Sequence, residues 1–283
     1  MKIGFGSNVG KKRDLDEDSI IVVRNETVSE SKREQVTLLI VADGMGGHNA
    51  GEVASRLATA KVAEEVVGAM FKENRRDLFE KREKNPLKIA IEEANNYIFN
   101  EVKEDPQYEG MGTTVTAAVI LGPTVYIGHV GDSRAYIVNE EEIRQVTKDH
   151  SLVQEMVDRG EISEDEAWVH PRKNIITRAV GIYQDIEADT FTEYICGDDY
   201  LLLCCDGLTD MVRDEDIRRI VMQYDDPQRM CDELVKKANK NGGLDNISVI
   251  LAQFDELPKR EELKSDKTQI RDRDETRIFR ENG

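Results

Sequence analysis

The chain has 283 residues, 57 of them acidic against 39 basic, for a formal net charge of −18. That balance disfavours a nucleic-acid backbone as partner and leaves no polybasic patch for a membrane surface. Hydrophobic residues make up 39%, enough for the core of one large domain or two small ones, and neither a transmembrane run nor a signal-peptide pattern is present. Cys196, Cys204, Cys205 and Cys231 lack metal-ligand spacing, and the adjacent Cys204 and Cys205 would point to opposite faces of a strand. They read as buried, reduced thiols of a cytoplasmic protein that does not insert into a membrane.

In chain order, residues 1–7 predict a short strand that breaks at Gly10. A charged loop through Arg13, Asp16, Glu17 and Asp18 leads into a strand over 19–24. The polar stretch 25–35 reads as a long hairpin connection, and 36–42 as the returning strand, which stops at Asp43. From Ala50 the residues Val53, Leu57, Ala60, Ala63, Val67 and Met70 recur at helical steps. Residues 72–84 are charged and read as a helix end followed by a loop. Asn85-Pro86 then caps a second helix with the stripe Leu87, Ala90, Ile91, Ala94, Ile98 and Val102. Strands follow over 112–121, 124–130 and 134–138, hinged at Gly131-Asp132-Ser133, with 143–147 extending the sheet. Residues 148–180 read as an inserted flap with two short helices, in which Trp168 is an anchor. Strands over 191–195 and 200–205, helices over 214–224 and 227–239, and a strand over 247–254 close the fold. The expected class is α+β, a four-layer α/β/β/α sandwich of two mainly antiparallel sheets with helices outside. Residues 1–256 form the catalytic domain in this reading, and 257–283 a charged, flexible tail.

One pattern repeats along the chain: an apolar strand that ends in an aspartate beside a glycine. Asp43-Gly44 and Asp206-Gly207 have it directly. Asp132 follows Gly131, Asp245 follows Gly242-Gly243-Leu244, and Glu17 and Asp18 stand just before the apolar run that starts at Ile20. If those strand ends converge, the carboxylates form a cluster that must protonate or bind metal. An all-oxygen set suits Mg²⁺ or Mn²⁺ rather than zinc.

The ordered motifs Arg13-x-x-x-Glu17-Asp18, Asp43-Gly44-Met45-Gly46-Gly47-His48, Gly112-Thr113-Thr114, Gly131-Asp132-Ser133-Arg134, Asp149-His150-Ser151, Asp206-Gly207 and Gly243-x-Asp245-Asn246 resemble those of the metal-dependent protein phosphatases, the protein phosphatase 2C family, in its compact bacterial form. The resemblance runs to Phe254. It implies two Mn²⁺ or Mg²⁺ ions per site. Asp43 would bridge them, with Gly44 and waters around Glu17 and Asp18 completing one ion and Asp206 and Asp245 the other. Asp132 with Asp206 would hold a weaker third ion, assisted by Asp210, and Arg13 would bind the substrate phosphate. The implied activity is hydrolysis of phosphoserine and phosphothreonine by direct attack of a metal-bridging water. No cysteine with phosphate-loop spacing suggests a phosphoenzyme. The implied partners are phosphorylated Ser/Thr proteins, including a cognate membrane-anchored bacterial Ser/Thr kinase, with the enzyme a monomer. Two departures stand out. Asp16 replaces a frequent Asn, and Met45 occupies the place of a histidine proposed as general acid in the animal branch. His48, three positions on, either takes that role or only shapes the loop. The rival readings are a catalytically weak phosphoprotein-binding module of the same fold, and another two-metal hydrolase such as a nuclease.

Overall fold

The computed structural model describes residues 1–29, 32–46, 50–72, 74–260 and 262. The chain opens with β1 (Lys2–Asn8), β2 (Ser19–Ser29) and β3 (Lys32–Ala42), followed by a two-residue strand β4 (Gly44–Met45) and the long helix α1 (Ala50–Met70). Next come α2 (Arg75–Glu80), α3 (Pro86–Glu104), the short β5 (Gly112–Thr113), β6 (Val115–Leu121), β7 (Thr124–Val130), β8 (Arg134–Val138) and β9 (Ile143–Gln145). The inserted region carries α4 (Leu152–Asp158) and α5 (Glu164–Trp168). The chain then runs through β10 (Asp189–Tyr194), β11 (Tyr200–Cys204), α6 (Asp206–Thr209), α7 (Asp214–Gln223), α8 (Pro227–Lys240) and β12 (Ile247–Gln253).

Two five-stranded sheets, ordered β1-β12-β11-β8-β9 and β10-β7-β6-β3-β2, are antiparallel throughout. Alternation along each strand sends one set of side chains between the sheets and the other outward. Leu39, Val41, Ile127, Leu201, Leu203 and Ile250 fill the space between the sheets. Leu38 and Ile40 turn the other way, onto Ala54, Ala58, Val62 and Ile91 of α1 and α3. Leu202, Val249 and Leu251 meet Ile217, Met230 and Leu234 of α7 and α8. Three cores between four layers result, as expected.

Helix starts follow their caps. The Asn85 side chain accepts from the Leu87 N–H ahead of Pro86, Asp226 does the same for Arg229 ahead of Pro227, and Ser163 and Glu166 close a capping box on α5. Two expectations are corrected. Residues 25–35 are not a long connection: β2 and β3 stay in register from Ser19↔Ala42 to Ser29↔Lys32, while β6 leaves β3 at Val36. Beyond that point the pair is a ribbon with no core to cover, so it needs no apolar alternation. Within 72–84 lies α2, whose one buried side chain, Phe79, is stacked on Tyr126 at 5.3 Å, while Arg75 pairs with Glu34 and Arg76 donates to the Leu121 carbonyl.

Past β12 the chain remains docked. Leu257 packs against the inter-sheet core, the Gly197 N–H donates to the Pro258 carbonyl at 2.8 Å, and Arg260 donates to the fully buried Asp199 at 2.7 Å. Beyond Arg260 the expected tail, Glu262 apart, lies outside the described residues. No helix among the described residues is long and apolar enough to cross a membrane. Register puts the ends of β3 and β11 and the starts of β2 and β12 together at one edge of the sandwich. The candidate site is there.

Candidate active site

Backbone geometry delivers the carboxylates. Asp43 follows β3, and its peptide is pinned on both sides: its N–H donates to Thr114 Oγ1 at 2.9 Å, and its carbonyl accepts from the Thr114 N–H at 2.9 Å and Thr113 Oγ1 at 2.8 Å. Thr114 is itself bonded to Ser133 Oγ at 2.6 Å, tying the Gly131-Asp132-Ser133 turn to the same point. Gly44 and Gly51 are required by close approach. A Cβ at Gly44 would sit 2.2 Å from the Gly51 carbonyl, and one at Gly51 would sit 2.6 Å from the Glu17 carboxylate. Asp206 opens α6 directly after β11.

Asn246 holds the charged loop in place. Its side chain donates to the carbonyls of Val9 and Leu15 and accepts from the Glu17 N–H, all at 2.9–3.0 Å. Arg13 reaches across to Asp245 at 2.7 Å, with Glu17 at 3.9 Å, and remains 48% exposed at the rim.

The buried acids repel one another. Burial raises the carboxyl of Asp43 well above its ordinary range, and Asp18, Asp206, Asp132 and Asp245 add to it. Asp206 is pushed up to about 7 by burial, then by Asp210 and Asp245, against a hydrogen bond with Asp43 that lowers it. Asp18 rises to about 8, chiefly through burial, and Asp132 is raised well above the usual range by burial and by Asp206. Glu17, nearer the surface, is raised first by desolvation and held back by Arg13. Both carboxylate oxygens of Asp18, Oδ1 of Asp132 and Oδ1 of Asp206 are buried with no hydrogen-bond partner. Buried carboxylate oxygens without donors call for a proton or a cation.

The structure thus brings Asp43, Asp18, Asp206, Asp132 and Asp245 into one electrostatic cluster, with Glu17 and Arg13 at its edge. Gly44 lies beside it in β4, paired with Thr113 of β5. Asp210 also bears on Asp206, but its carboxylate is engaged by Lys173 at 2.8 Å. His48 lies outside the described residues.

Sequence reasoning passed over four contributors. Thr114, Ser133 and Asn246 stood in the motifs without a role. Cys205 reads from sequence as a buried, reduced thiol without metal-ligand spacing, yet its sulfur lies with oxygens of Asp18 and Asp43, all within 4.8 Å of one another, and accepts the Ser248 N–H at 3.0 Å. Its position next to Asp206 at a strand end was the available signal. The Asp149-His150-Ser151 motif is scaffolding. Asp149 clasps Arg134 at 2.7–3.0 Å, His150 Nδ1 accepts the Gly131 N–H at 3.0 Å, and Ser151 caps α4. His129, stacked on His150 at 4.9 Å, is lowered to about 3 by burial and then by His150.

A groove of about 810 Å³ runs outward from Asp132 and Asp206, between α4 and α5 on one side and α6 and α7 on the other. Trp168 anchors its far wall, donating to the Thr209 carbonyl at 3.0 Å beneath the Arg213 guanidinium, 3.7 Å from the ring centre.

Comparison with known proteins agrees with this geometry. The family model for protein phosphatase 2C matches residues 3–247. The serine/threonine phosphatase stp of Listeria monocytogenes is 39% identical over 255 residues, covering 90% of this chain and 96% of its own. The solved structure of serine/threonine phosphatase Stp1 from Staphylococcus aureus superposes with a TM-score of 0.74 at 37% identity, covering 89% of this chain and 94% of that one. A crystal structure of the catalytic domain of the serine threonine protein phosphatase PstP, in complex with two manganese ions, gives a TM-score of 0.73 at 34% identity, with 89% and 97% covered.

Proposed function

The chain belongs to the protein phosphatase 2C family and is a metal-dependent protein serine/threonine phosphatase; from that premise we propose which of its residues carry the reaction and with what partners. The observation that carries the assignment is the set of buried oxygens on Asp18, Asp132 and Asp206 that no protein donor satisfies. The donor set around them is almost wholly hard oxygen, which fits Mn²⁺ or Mg²⁺.

In this proposal Asp43, the Gly44 carbonyl, Asp206 and Asp245 would hold a pair of ions, with Glu17 and Asp18 beside them. Asp132, with Asp206 and Asp210, would hold a weaker third. When bound, such ions supply Lewis acidity toward the phosphoryl oxygens and a water nucleophile at neutral pH. The protein's own part is to orient and to neutralise. Arg13 spends one of its N–H donors on Asp245 and offers the rest of its planar fork to the phosphate, which a lysine would meet only as a point charge. Asn246 fixes the loop that carries Arg13 and Glu17. The departing seryl or threonyl oxygen needs a proton, and His48 is the candidate donor, the alternative being that it only shapes the loop and a water supplies the proton. The substrates are phosphorylated serine/threonine proteins. We assign the chain, as proposals, a cytoplasmic location, a monomeric state and a cognate Ser/Thr kinase as the activity it opposes.

The test is hydrolysis of an aryl phosphate and of a phosphothreonine peptide under Mn²⁺ titration, with metal binding followed separately by calorimetry. Asp43→Ala or Asp206→Ala should lower kcat by about a thousand-fold or more and weaken metal binding while circular dichroism stays unchanged. Near-normal rates in either variant would overturn the assignment. A phosphoprotein-binding module of the same fold predicts no turnover with any metal.

A further inference from the structure

The groove that leaves the acidic cluster is far larger than a phosphate needs. At about 810 Å³ it has room for several residues of a polypeptide. Its inner end is the catalytic edge itself, where Asp132, 6% exposed, lines the groove with Oδ1 lacking any partner. A phosphorylated side chain placed at the carboxylate cluster therefore has its flanking main chain led along this channel.

The charges on the walls are not balanced. Four cationic side chains line the groove, and each is already engaged. Arg134 is clasped by Asp149 at 2.7 Å, Arg144 by Glu193 at 2.9 Å, Lys173 by Asp210 at 2.8 Å and Arg213 by Asp165 at 2.9 Å. The carboxylates at the outer end are not engaged in the same way. Glu164, at the start of α5, has no ion pair among the described residues. Asp214, at the start of α7, accepts only from the Tyr136 hydroxyl, at 3.3 Å. Glu215 has only the loose approach of Arg218 at 3.9 Å, from its own helix. Asp214 is raised by burial first; Arg134 and the Tyr136 hydroxyl lower it, and Glu164 raises it again, so Arg134, already shared with Asp149, leaves a residual repulsion between the two acids. A cation between them would relieve that repulsion.

We propose that this groove is a subsite for the substrate chain beside the phosphorylated residue, and that Glu164, Asp214 and Glu215 select a lysine or arginine side chain there. The inference rests on the phosphatase reading and adds to it a substrate class: phosphoproteins with basic residues near the phosphorylated site. The carboxylates act by position and charge, apart from the reacting atoms.

The experiment uses the full chain and two phosphothreonine peptides that differ only in flanking residues, arginine in one and glutamate in the other. Trp168 is the chain's single tryptophan and lines the groove, so its emission in the Mg²⁺-loaded enzyme reports binding of the same peptides carrying unphosphorylated threonine, which are not turned over. The basic peptide should bind and show kcat/KM about five- to twenty-fold better than the acidic one. The preference should shrink as ionic strength rises from roughly 0.05 to 0.5 M, because the groove is open to solvent. Glu164→Lys with Glu215→Lys should invert it, an outcome that misfolding cannot produce. Equal kcat/KM for the two peptides, with robust turnover of both, overturns the subsite and leaves the phosphatase standing. Turnover of neither peptide nor an aryl phosphate with Mn²⁺ or Mg²⁺ defeats the phosphatase reading, and the subsite with it.

Discussion

A free aspartate titrates near 3.9, yet in the metal-free protein Asp206 sits at about 7 and Asp18 at about 8, because burial penalises their charged forms and neighbouring acids deepen the penalty. The folded state therefore holds protons that the unfolded chain has released. Stability from this source is complete below about pH 4 and is lost as pH rises through 7 and 8. His129 works in the opposite direction and lower down: it is held neutral in the fold, at about 3, so the unfolded chain gains its proton below about 6.5. The window from pH 6.5 to 8.5 isolates the carboxylates. Metal-free protein should lose melting temperature steadily across it, and saturating Mn²⁺ should flatten the dependence by replacing the protons with a cation. Thermal melts at four or five pH values, with and without metal, check this. A metal-free melting temperature that rises across the window would contradict the buried-acid account.

The elements show what the sequence made legible and what it concealed. Strands that bury one or both faces announced themselves, because burial imposes apolar runs such as Leu38 to Ala42 and Tyr200 to Cys204. Acidic residues stood out because each interrupts such a run at its end. Elements that bury little left no such trace. The β2–β3 ribbon beyond Val36 is held by ladder hydrogen bonds and by polar contacts such as Arg24–Gln35 and Arg75–Glu34, and α2 buries only Phe79. The site's bracing was equally silent. A threonine pinning an aspartate's peptide, or an asparagine bonded to three backbone groups far away in sequence, carries no periodicity. Asn246 is the clearest case, joining β12 to the loop that bears Arg13 and Glu17. Asn246→Ala should release that loop. Losing three hydrogen bonds of about 1 kcal/mol each predicts a fall in kcat/KM of roughly ten- to a hundred-fold, mostly through KM as Arg13 loses its position. Steady-state kinetics on an aryl phosphate would measure it, and an unchanged KM would show that the loop is held by other means.

At the scale of the whole molecule the sandwich has two unlike ends. One gathers acids that protein donors leave unsatisfied. The other, reached by running back along β11 from Asp206 to Asp199, roughly 20 Å away at the rise of a strand, buries an acid that is fully satisfied. Asp199 is 0% exposed and takes hydrogen bonds from the Asn139 side chain at 2.9 Å, the Cys196 N–H at 2.8 Å and Arg260 at 2.7 Å. The same end holds the amino terminus, whose ammonium lies 3.3 Å from Asp255 and 3.1 Å from Glu256. Sequence composition gave Arg260 to a charged tail, because a lone arginine among mixed charges carries no sign of a buried partner. Removing that arginine leaves a buried charge short of its only cationic partner among the described residues. Arg260→Ala should therefore cost about 1–3 kcal/mol, a drop of about 2–4 °C in melting temperature per kcal/mol for a domain of this size. Arg260→Lys should recover most of it, since one Nη–Oδ bond is what the geometry uses. With the carboxylate cluster at the far end, kcat and KM of the surviving folded enzyme should not move. Denaturant titration beside steady-state kinetics separates the two effects. A loss of activity without a loss of stability would mean that this end of the sandwich communicates with the catalytic edge rather than merely closing the fold.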